Sequence, residues 1–387
     1  MMPASEQVLV ALNEYILNQP GFLEGLGQYV LTHPHLKLHT HVFTADPAYD
    51  RRLLRRMIRH LRPDGVLTCV IWPVADLPLP AGTHLVNMGN FQQSDCPTVM
   101  SDQARAGCMA AEQLLEQGLL HYAFAALSGG YGAACRWQGF RRRLQEAGHD
   151  AVLFKDFASQ KRMAGKTDES FAAWVMRLPK PVGIHTYTLF EAARIAWACQ
   201  EAGLRVPADV ALIGGQDNPA LAAAGGPAVS AVEFDVVKVG YEGLQLLDRL
   251  LHGDSAPAGP ILIPPRCLVL RTSSDVQGAR DPEVARIRQW LRENAHRPLT
   301  VKGLLAQTPL SRRTLERRFA AITGHTPHDE ISTLRMDRAR ALLSGTSLPL
   351  AQVASQSGYA NYMTFALAFR RLTGMTASAF RRAGDAR

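Results

Sequence analysis

Two sets of side chains in this sequence have types and spacings suited to recognition chemistry. Toward the carboxyl end, Arg312, Arg313, Arg317 and Arg318 crowd one short stretch together with Thr314. A guanidinium fork suits bidentate contact with a guanine edge and charge contact with phosphate. Farther on, Asn361, Tyr362, Met363, Thr364, Ala366, Leu367 and Arg370 form a less charged set, fit to touch thymine methyls and deoxyribose with few hydrogen bonds. In the amino-terminal part, Arg136 offers a rigid fork of donors, Asp102 and Asp217 offer acceptors, and Asn13 and Asn90 offer both. Tyr15, Trp72, Phe91, Trp137 and Tyr187 supply flat apolar faces. A polyhydroxylated small molecule needs that mixture: paired hydrogen bonds for vicinal hydroxyls and aromatic faces for its C–H side. For any one aromatic, core packing is the competing reading, as a solvated face is for any isolated arginine-rich helix.

Other chemistries find less support. His33-Pro34-His35 and His39-Thr40-His41 raise the question of a metal ion, and His39 and His41 share one strand face. No Cys, Asp or Glu nearby in the sequence completes a tetrahedral set, so the expectation is a partly exposed edge strand and no metal. The six cysteines, at 69, 96, 108, 135, 199 and 267, are scattered and form no CxxC pair, as in a reduced cytoplasmic protein. There is no GxSxG elbow, P-loop, HExxH or strand-following GxGxxG, which argues against an enzyme, and no cofactor is expected. The glycine-rich run 128–132 reads as a loop flanking a ligand cleft.

The elements that must position these groups have two textures. Residues 7–275 alternate short apolar runs, at 8–12, 65–71, 123–127, 182–185 and 210–214, with helical periodicity, such as Leu53, Met57 and Leu61, or the stretch 137–147 that ends at Gly148. That order predicts an α/β body of βαβ units with parallel sheets and helices on both faces, arranged as two lobes with a cleft. The carboxyl ends of such strands are where open α/β sheets bind ligands. The segment 261–271 reads as a further strand and the polar segment 272–282 as an interdomain linker. After it the pattern is all helical, so the expected domains are 1–274 and 282–387, joined by a linker at 275–281.

Charge follows the same division. The chain of 387 residues has a formal charge of +8, yet residues 279–387 hold 18 Lys and Arg against 8 Asp and Glu, and the remainder is mildly acidic. A basic tail on an acidic body points to a polyanion; nucleic acid is the first candidate, although ribosomal or membrane-surface contact would give the same asymmetry. No apolar run approaches the ~18 residues that span a bilayer, and the amino terminus has no basic n-region, so neither a membrane span nor an export signal is expected.

The basic domain contains two similar units, 300–327 and 348–376, each a short helix, a tight turn and a longer helix ending in Thr-Gly. Leu315, Phe319 and Ile322 match Phe365, Phe369 and Leu372 at i, i+4 and i+7, predicting buried stripes whose opposite faces are free to enter a major groove. Ser311 and Asn361 are good N-caps. Between the units, 329–343 predicts a helix of about 15 residues, ~22 Å long. Such a strut could hold two reading helices about one DNA turn, ~34 Å, apart.

Ser311-x3-Leu315-x-Arg317-x-Phe319, Gly324-x-Thr326-Pro327, Arg335-x3-Ala339-x2-Leu342-Leu343, Val353-Ala354-x3-Gly358-Tyr359 and Phe365-x3-Phe369-Arg370 with Gly374 resemble the AraC-type transcription-activator domain. A departure is Thr376-Ala377 in place of the usual Thr-Pro, at a position read as a helix stop. In the body, GLRVPADVALIGGQDN (203–218) resembles a stretch of LacI-type, periplasmic-binding-protein-like sensor domains. So do Arg136-x2-Gly139-Phe140, Asp102 before a helix, and LIPPRCLVLRTSS (262–274) as closing strand. A LacI-like sensor followed by an AraC-like reader is the order of the xylose-operon activators, which the whole chain resembles. That resemblance implies a sugar effector, xylose or a related pentose or sugar acid, in the cleft. It further implies a homodimer on tandem half-sites of double-stranded DNA, activation of carbohydrate catabolic genes, RNA polymerase as a partner of such an activator, and a cytoplasmic location. Thr188-Leu189 stands where related sensors often have Asn-Asp, and Gln216 where an Asp is usual, so fewer acidic acceptors face the ligand. A ligand-independent repressor and a sugar-modifying enzyme are the competing functions. The large body would be superfluous to the first, and turnover of a sugar would reveal the second.

If the first reading helix supplies most base readout, replacing Arg313 and Arg317 by Ala removes about 1–3 kcal/mol of discrimination per bidentate contact. A binding-site selection should then lose more sequence preference than with Met363→Ala and Leu367→Ala. Equal losses would contradict this assignment.

Overall fold

A computed structural model of the chain describes residues 5–13, 19, 21–43, 46–70, 77, 79–91, 93–127, 130–154, 167–218, 228–277, 281–294, 297 and 299–385. Through the α/β body the order is β1 (Glu6–Asn13), α1 (Gly21–Thr32), β2 (Leu36–Phe43), α2 (Pro47–Leu61), β3 (Gly65–Cys69), β4 (His84–Asn87) and β5 (Val99–Ser101). There follow α3 (Gln103–Glu116), β6 (His121–Ala125), α4 (Tyr131–Glu146), β7 (Ala151–Leu153), α5 (Thr167–Arg177), β8 (Val182–Thr186) and α6 (Leu189–Glu201). The body closes with β9 (Val210–Gln216), β10 (Ser230–Phe234), α7 (Val236–Leu251), β11 (Ile261–Ile263) and β12 (Pro265–Val269). After a 3-10 turn at Thr272–Ser274 come α8 (Pro282–Asn294), α9 (Val301–Leu305), α10 (Arg312–Thr323) and α11 (Pro327–Gly345). The last elements are α12 (Leu350–Gln356), α13 (Tyr362–Thr373) and α14 (Ala377–Asp385). The chain forms two compact units, one of residues 1–107, 128–139 and 234–265, the other of 108–127, 140–233 and 266–387. No helix among the described residues is long and apolar enough to cross a membrane.

The first unit is built on a four-stranded parallel sheet of order β2-β1-β3-β4. β1 is apolar from Val8 to Leu12 because both its faces are covered there. Val8, Val10 and Leu12 enter one core with Phe22, Leu26 and Tyr29 of α1 and Leu244, Leu247 and Leu250 of α7. Leu9 and Ala11 enter another with Leu54 and Ile58 of α2. The expected stripe Leu53, Met57, Leu61 only flanks that core, and its one-residue-on neighbours Leu54 and Ile58 are the fully buried pair. β2 is an edge strand, as its polar residues imply.

The second unit carries a six-stranded sheet of order β12-β10-β9-β8-β6-β7. Ala123, Ala125, Val182, Ile184, Val210 and Leu212 meet Phe171 and Trp174 of α5 and Ile195 and Cys199 of α6 on one face. The expected single strand over 261–271 is instead two strands: β11 pairs with β5, and β12 lies at the edge of the six-stranded sheet. Consecutive prolines at 264 and 265 interrupt the hydrogen-bond ladder there.

The helical part of this unit has two small cores. Val284, Ile287, Leu291, Leu304, Leu315, Phe319 and Ile331 form the first, and Met336, Ala339, Leu343, Val353, Phe365 and Phe369 belong to the second. Helix α11 serves both, with Ile331 and Leu334 on one side and Met336, Ala339 and Leu343 on the other. At 19 residues it is longer than expected, because Thr326 and Asp329 form a capping box and Pro327 occupies the first turn. Thr376 likewise begins a helix, its Oγ1 accepting from the Ala379 amide at 3.2 Å. The helix-stop reading of Thr376-Ala377 is therefore corrected: Ala377 opens α14 as Pro327 opens α11. A second correction concerns Leu372, which is 45% exposed. The pair Phe365 and Phe369 suffices to seat α13, and Gly374, in the left-handed conformation at φ 75°, turns the chain away immediately after it.

Helices α1 and α7 approach backbone to backbone. A Cβ on Gly25 would lie 2.0 Å from the Val237 carbonyl oxygen, and one on Gly240 2.3 Å from that of Phe22. Gly25→Ala or Gly240→Ala should therefore lower stability by about 1–3 kcal/mol through overpacking. Urea unfolding checks this, and an unchanged midpoint would show that the helices can separate without cost.

Candidate functional site

The residues expected to face DNA are placed by local rules. Ser311 caps α10, its Oγ accepting from the Thr314 amide at 3.3 Å and lying 2.9 Å from the Thr314 hydroxyl. Asn361 caps α13 in the same way, taking hydrogen bonds from the Thr364 amide and hydroxyl at 2.9 and 3.0 Å. These caps fix where each reading helix starts. With Leu315 and Phe319 or Phe365 and Phe369 buried, the opposite faces point outward. Arg312, Arg313 and Arg317 are exposed on α10, Arg312 with Glu316 at 2.8 Å. On α13, Met363 and Leu367 are 67% and 66% exposed, and Tyr362, Thr364 and Arg370 are exposed with them. Exposed apolar side chains of that size, side by side on a helix, mark a contact surface.

Arg318 is placed differently from its neighbours. Its guanidinium grips Asp281 through Nε and Nη2 at 2.7 and 2.6 Å. Those bonds hold the Asp281 carboxyl below its usual range, against the opposing effect of burial. Asp281 also caps α8, accepting from the amides of Glu283 and Val284. Arg318 thus anchors the start of the helical part to the back of the first reading helix. Sequence reasoning missed this pair, since the two residues are far apart in the chain.

The segment 272–277, expected as a linker, is largely buried. The Ser273 hydroxyl donates to the Leu212 carbonyl at 2.6 Å, and the Ser230 and Ser274 hydroxyls lie 2.7 Å apart. Buried Asp275 pairs with Arg288 and, at 3.1 Å, with Arg292 of α8. Arg288 also reaches Glu330 at 3.1 Å, and His325 meets the other Glu330 oxygen at 2.5 Å. Burial raises the Glu330 carboxyl, but Arg288 and His325 outweigh it, so it is held below the usual range. Gln277 contacts Glu116 and Gln117 at the end of α3. Small hydrogen-bonded residues and a paired charge let a polar stretch be buried. Residues 278–280 of the expected linker lie outside the described residues.

In the body, Tyr15 and Trp72 lie outside the described residues, as do 128 and 129 of the glycine-rich loop. In the first unit, Arg136 is buried in α4, with Gln103 Oε1 accepting from its Nε at 3.0 Å and also from its Nη2. The Phe234 ring lies 5.1 Å from the guanidinium carbon. Asp102 caps α3, taking the Arg105 amide at 2.8 Å. Asn13 is buried at the carboxyl end of β1. The Asn90 carbonyl accepts from the Gly132 amide at 2.6 Å and that of Phe91 from Tyr131 at 3.0 Å, so the 90–91 loop meets the start of α4. Gly130 permits this: a Cβ there would lie 3.0 Å from the Phe91 carbonyl oxygen. Trp137 is half-buried on α4.

In the second unit, Asp217 follows β9 and takes a two-pronged pair from Arg271, at 2.7 and 3.1 Å. Arg271 Nη1 also donates to the Val229 carbonyl at 2.8 Å. Tyr187 follows β8, its amide bonded to the Ala125 carbonyl at 3.0 Å, and is half-buried. Thr188 caps α6 in a capping box with Glu191, whose carboxylate also takes the Leu127 amide at 2.6 Å. A shallow groove of about 470 Å³ on this unit is lined by Gln200, Leu204, Val229, Thr272 and Ser273 among others, and by none of the expected ligand residues. Gln103, Phe234 and Arg271 were not anticipated; Arg271 alone had a signal, since it sits in the closing-strand stretch 262–274.

Comparison with known proteins agrees with this architecture. A periplasmic binding protein-like domain matches residues 111–274 and a helix-turn-helix domain matches residues 304–383. The chain is 28% identical over 271 residues to the xylose operon regulatory protein of Escherichia coli K12, covering 69% of each. It is 27% identical over 302 residues to that of Haemophilus influenzae, covering 76% of this chain and 78% of the other. Its fold is similar to the structure of a xylose-binding transcription activator, XylR, with a TM-score of 0.59, 24% identity and 99% of both chains covered. The matched proteins are regulators and not enzymes. The chain carries a periplasmic-binding-protein-like domain ahead of a helix-turn-helix domain, and it resembles the xylose operon regulatory proteins.

Proposed function

We propose that this chain activates carbohydrate catabolic genes in the cytoplasm in response to a small sugar bound by its α/β body. The observation that carries the sugar reading is Arg136, a buried guanidinium held by Gln103 and faced by Phe234 beside the 90–91 loop. A guanidinium fixed in advance loses little freedom when it engages vicinal hydroxyls. Asp217, oriented by Arg271, supplies an acceptor of the same quality, and Asn13, Asp102, Asn90 and Tyr187 are further contacts. Tyr15 and Trp72 are proposed on sequence alone.

Relatives named for the xylose operon favour a pentose. Thr188 is committed to capping α6, which supports an effector needing fewer acidic acceptors: another pentose or a sugar acid stands beside xylose. The ligand acts by binding one state of the body better than the other. The anchored segment 272–277 carries that difference to the reading helices, and the active species is a homodimer on tandem half-sites that recruits RNA polymerase. Base contacts come from Arg312, Arg313, Thr314 and Arg317, and apolar or phosphate contacts from Asn361, Tyr362, Met363, Thr364, Leu367 and Arg370. Arg318 joins them only if it leaves Asp281.

A calorimetric screen of pentoses, hexoses and sugar acids tests the effector, and heat from none of them would overturn the reading. For the sugar that binds, Arg136→Ala or Asp217→Asn should cost about 1.5–3 kcal/mol, or about 10- to 150-fold in Kd. Urea midpoints would confirm that the variants fold, and unchanged affinity in folded variants would remove these residues from the site. DNA affinity should also fall steeply with salt, by about 10³–10⁵ between 50 and 200 mM if 6–10 phosphates are contacted. A flat salt dependence in a filter-binding or anisotropy titration would contradict the phosphate contacts.

A further inference from the structure

We infer that Glu6, His35, Asp248 and His252, drawn together in the first unit, form a site for one divalent transition-metal ion, with Zn2+ the best fit to two imidazoles and two carboxylates. The sequence offered His33 and His35 without a carboxylate beside them. Folding supplies two, one at the first residue of β1 and one in the last turn of α7.

The ligand atoms of the four residues all lie within 4.8 Å of one another. His35 Nε2 is 3.0 Å and His252 Nδ1 3.2 Å from the same oxygen, Asp248 Oδ1. Bonds of 2.0–2.1 Å in a tetrahedron put neighbouring donor atoms about 3.3 Å apart. Without an ion, the histidines are held by hydrogen bonds to Asp248. That arrangement leaves one atom unexplained: Glu6 Oε2 is buried and has no hydrogen-bond partner. A buried, unpartnered carboxylate oxygen beside two imidazoles is costly unless a cation completes it.

The surroundings have the character of an outer shell. The Tyr29 hydroxyl donates to Asp248 Oδ2 at 2.7 Å, fixing the carboxylate while leaving Oδ1 for the ion. Tyr29 stacks on His33 at 3.9 Å, and His33 meets His35 edge-on at 5.9 Å. Ligation would take His252 as its neutral tautomer, releasing the bond from Nδ1 to the Asp248 carbonyl, now 2.9 Å. The site stands at the amino end of β1, about 23 Å along the strand from Asn13 at ~3.3 Å per residue. It is thus separate from Asn13, the sugar contact proposed on the same strand, and it staples β1, the start of β2 and the end of α7, three segments distant in sequence.

The test uses the full chain without an affinity tag, stripped of metal, titrated with Zn2+ by calorimetry and with Co2+ by absorption. Expected are one equivalent bound, a tetrahedral cobalt spectrum without thiolate charge transfer, and a raised Tm. His252→Ala and Glu6→Gln should each weaken binding at least about tenfold, and Tyr29→Phe about 10–100-fold. His252 has a side chain 60% exposed, so its replacement leaves the apo fold intact. Thiols are the competing ligands, and the cobalt spectrum separates them; burial pushes Cys69 and Cys267 up to about 12. No saturable binding, a thiolate spectrum, or equal affinity in folded His252→Ala and Glu6→Gln would each overturn the inference.

Discussion

The geometry of DNA reading rests on one helix packing into two cores. Helix α11 lends Ile331 to the core under the first reading helix and Met336, Ala339 and Leu343 to the core under the second. Neither core is large enough to fix a helix rigidly by itself. A shared, continuous helix of about 28 Å at 1.5 Å per residue makes their separation a property of the backbone. Each reading helix is then seated by two buried apolar anchors, Leu315 with Phe319 and Phe365 with Phe369, and started by a side-chain cap. The capping box at Thr326 and the left-handed glycines at 324 and 374 fix where each segment ends.

A second constraint ties this reader to the α/β part of its unit. Asp275 is buried with Arg288 and Arg292, and Arg288 continues to Glu330 at the start of α11. Buried ion pairs gain little net stability, but breaking one partner is expensive. Such a network therefore tolerates few alternative geometries. Through Ser273 and Ser274 it is joined to β9 and β10, the strands from which Asp217 and its partner Arg271 are positioned. A change at those strand ends has a short route of hydrogen bonds and ion pairs to the helix that spaces the reading helices.

Much of this was legible in the residues. Continuous apolar runs located the central strands, and 3.6-residue periodicity nearly every carboxyl-terminal helix, because these elements bury strong apolar sets. The caps Ser311 and Asn361 were legible because capping is local chemistry. The short strands β4, β5, β7 and β10 were not, since three to five residues carry too little pattern. Partners distant in sequence were also beyond reach: Arg318 with Asp281, Arg136 with Gln103, Asp217 with Arg271, and the carboxylates that join His35 and His252. At 272–277 polarity hid burial: Ser273, Ser274 and Asp275 are buried because their side chains find partners. Proline misled at 376–377, where the matching Pro327 shows that the position opens a helix.

Hydroxyl-radical footprinting of the full-length protein on DNA selected by it measures the spacing that α11 imposes. Two protected patches on one face of the duplex, centred about 10–10.5 base pairs apart within each protomer's site, are the expected result. A single patch per protomer, or patches on opposite faces, would contradict the account of twin helices held in successive major grooves.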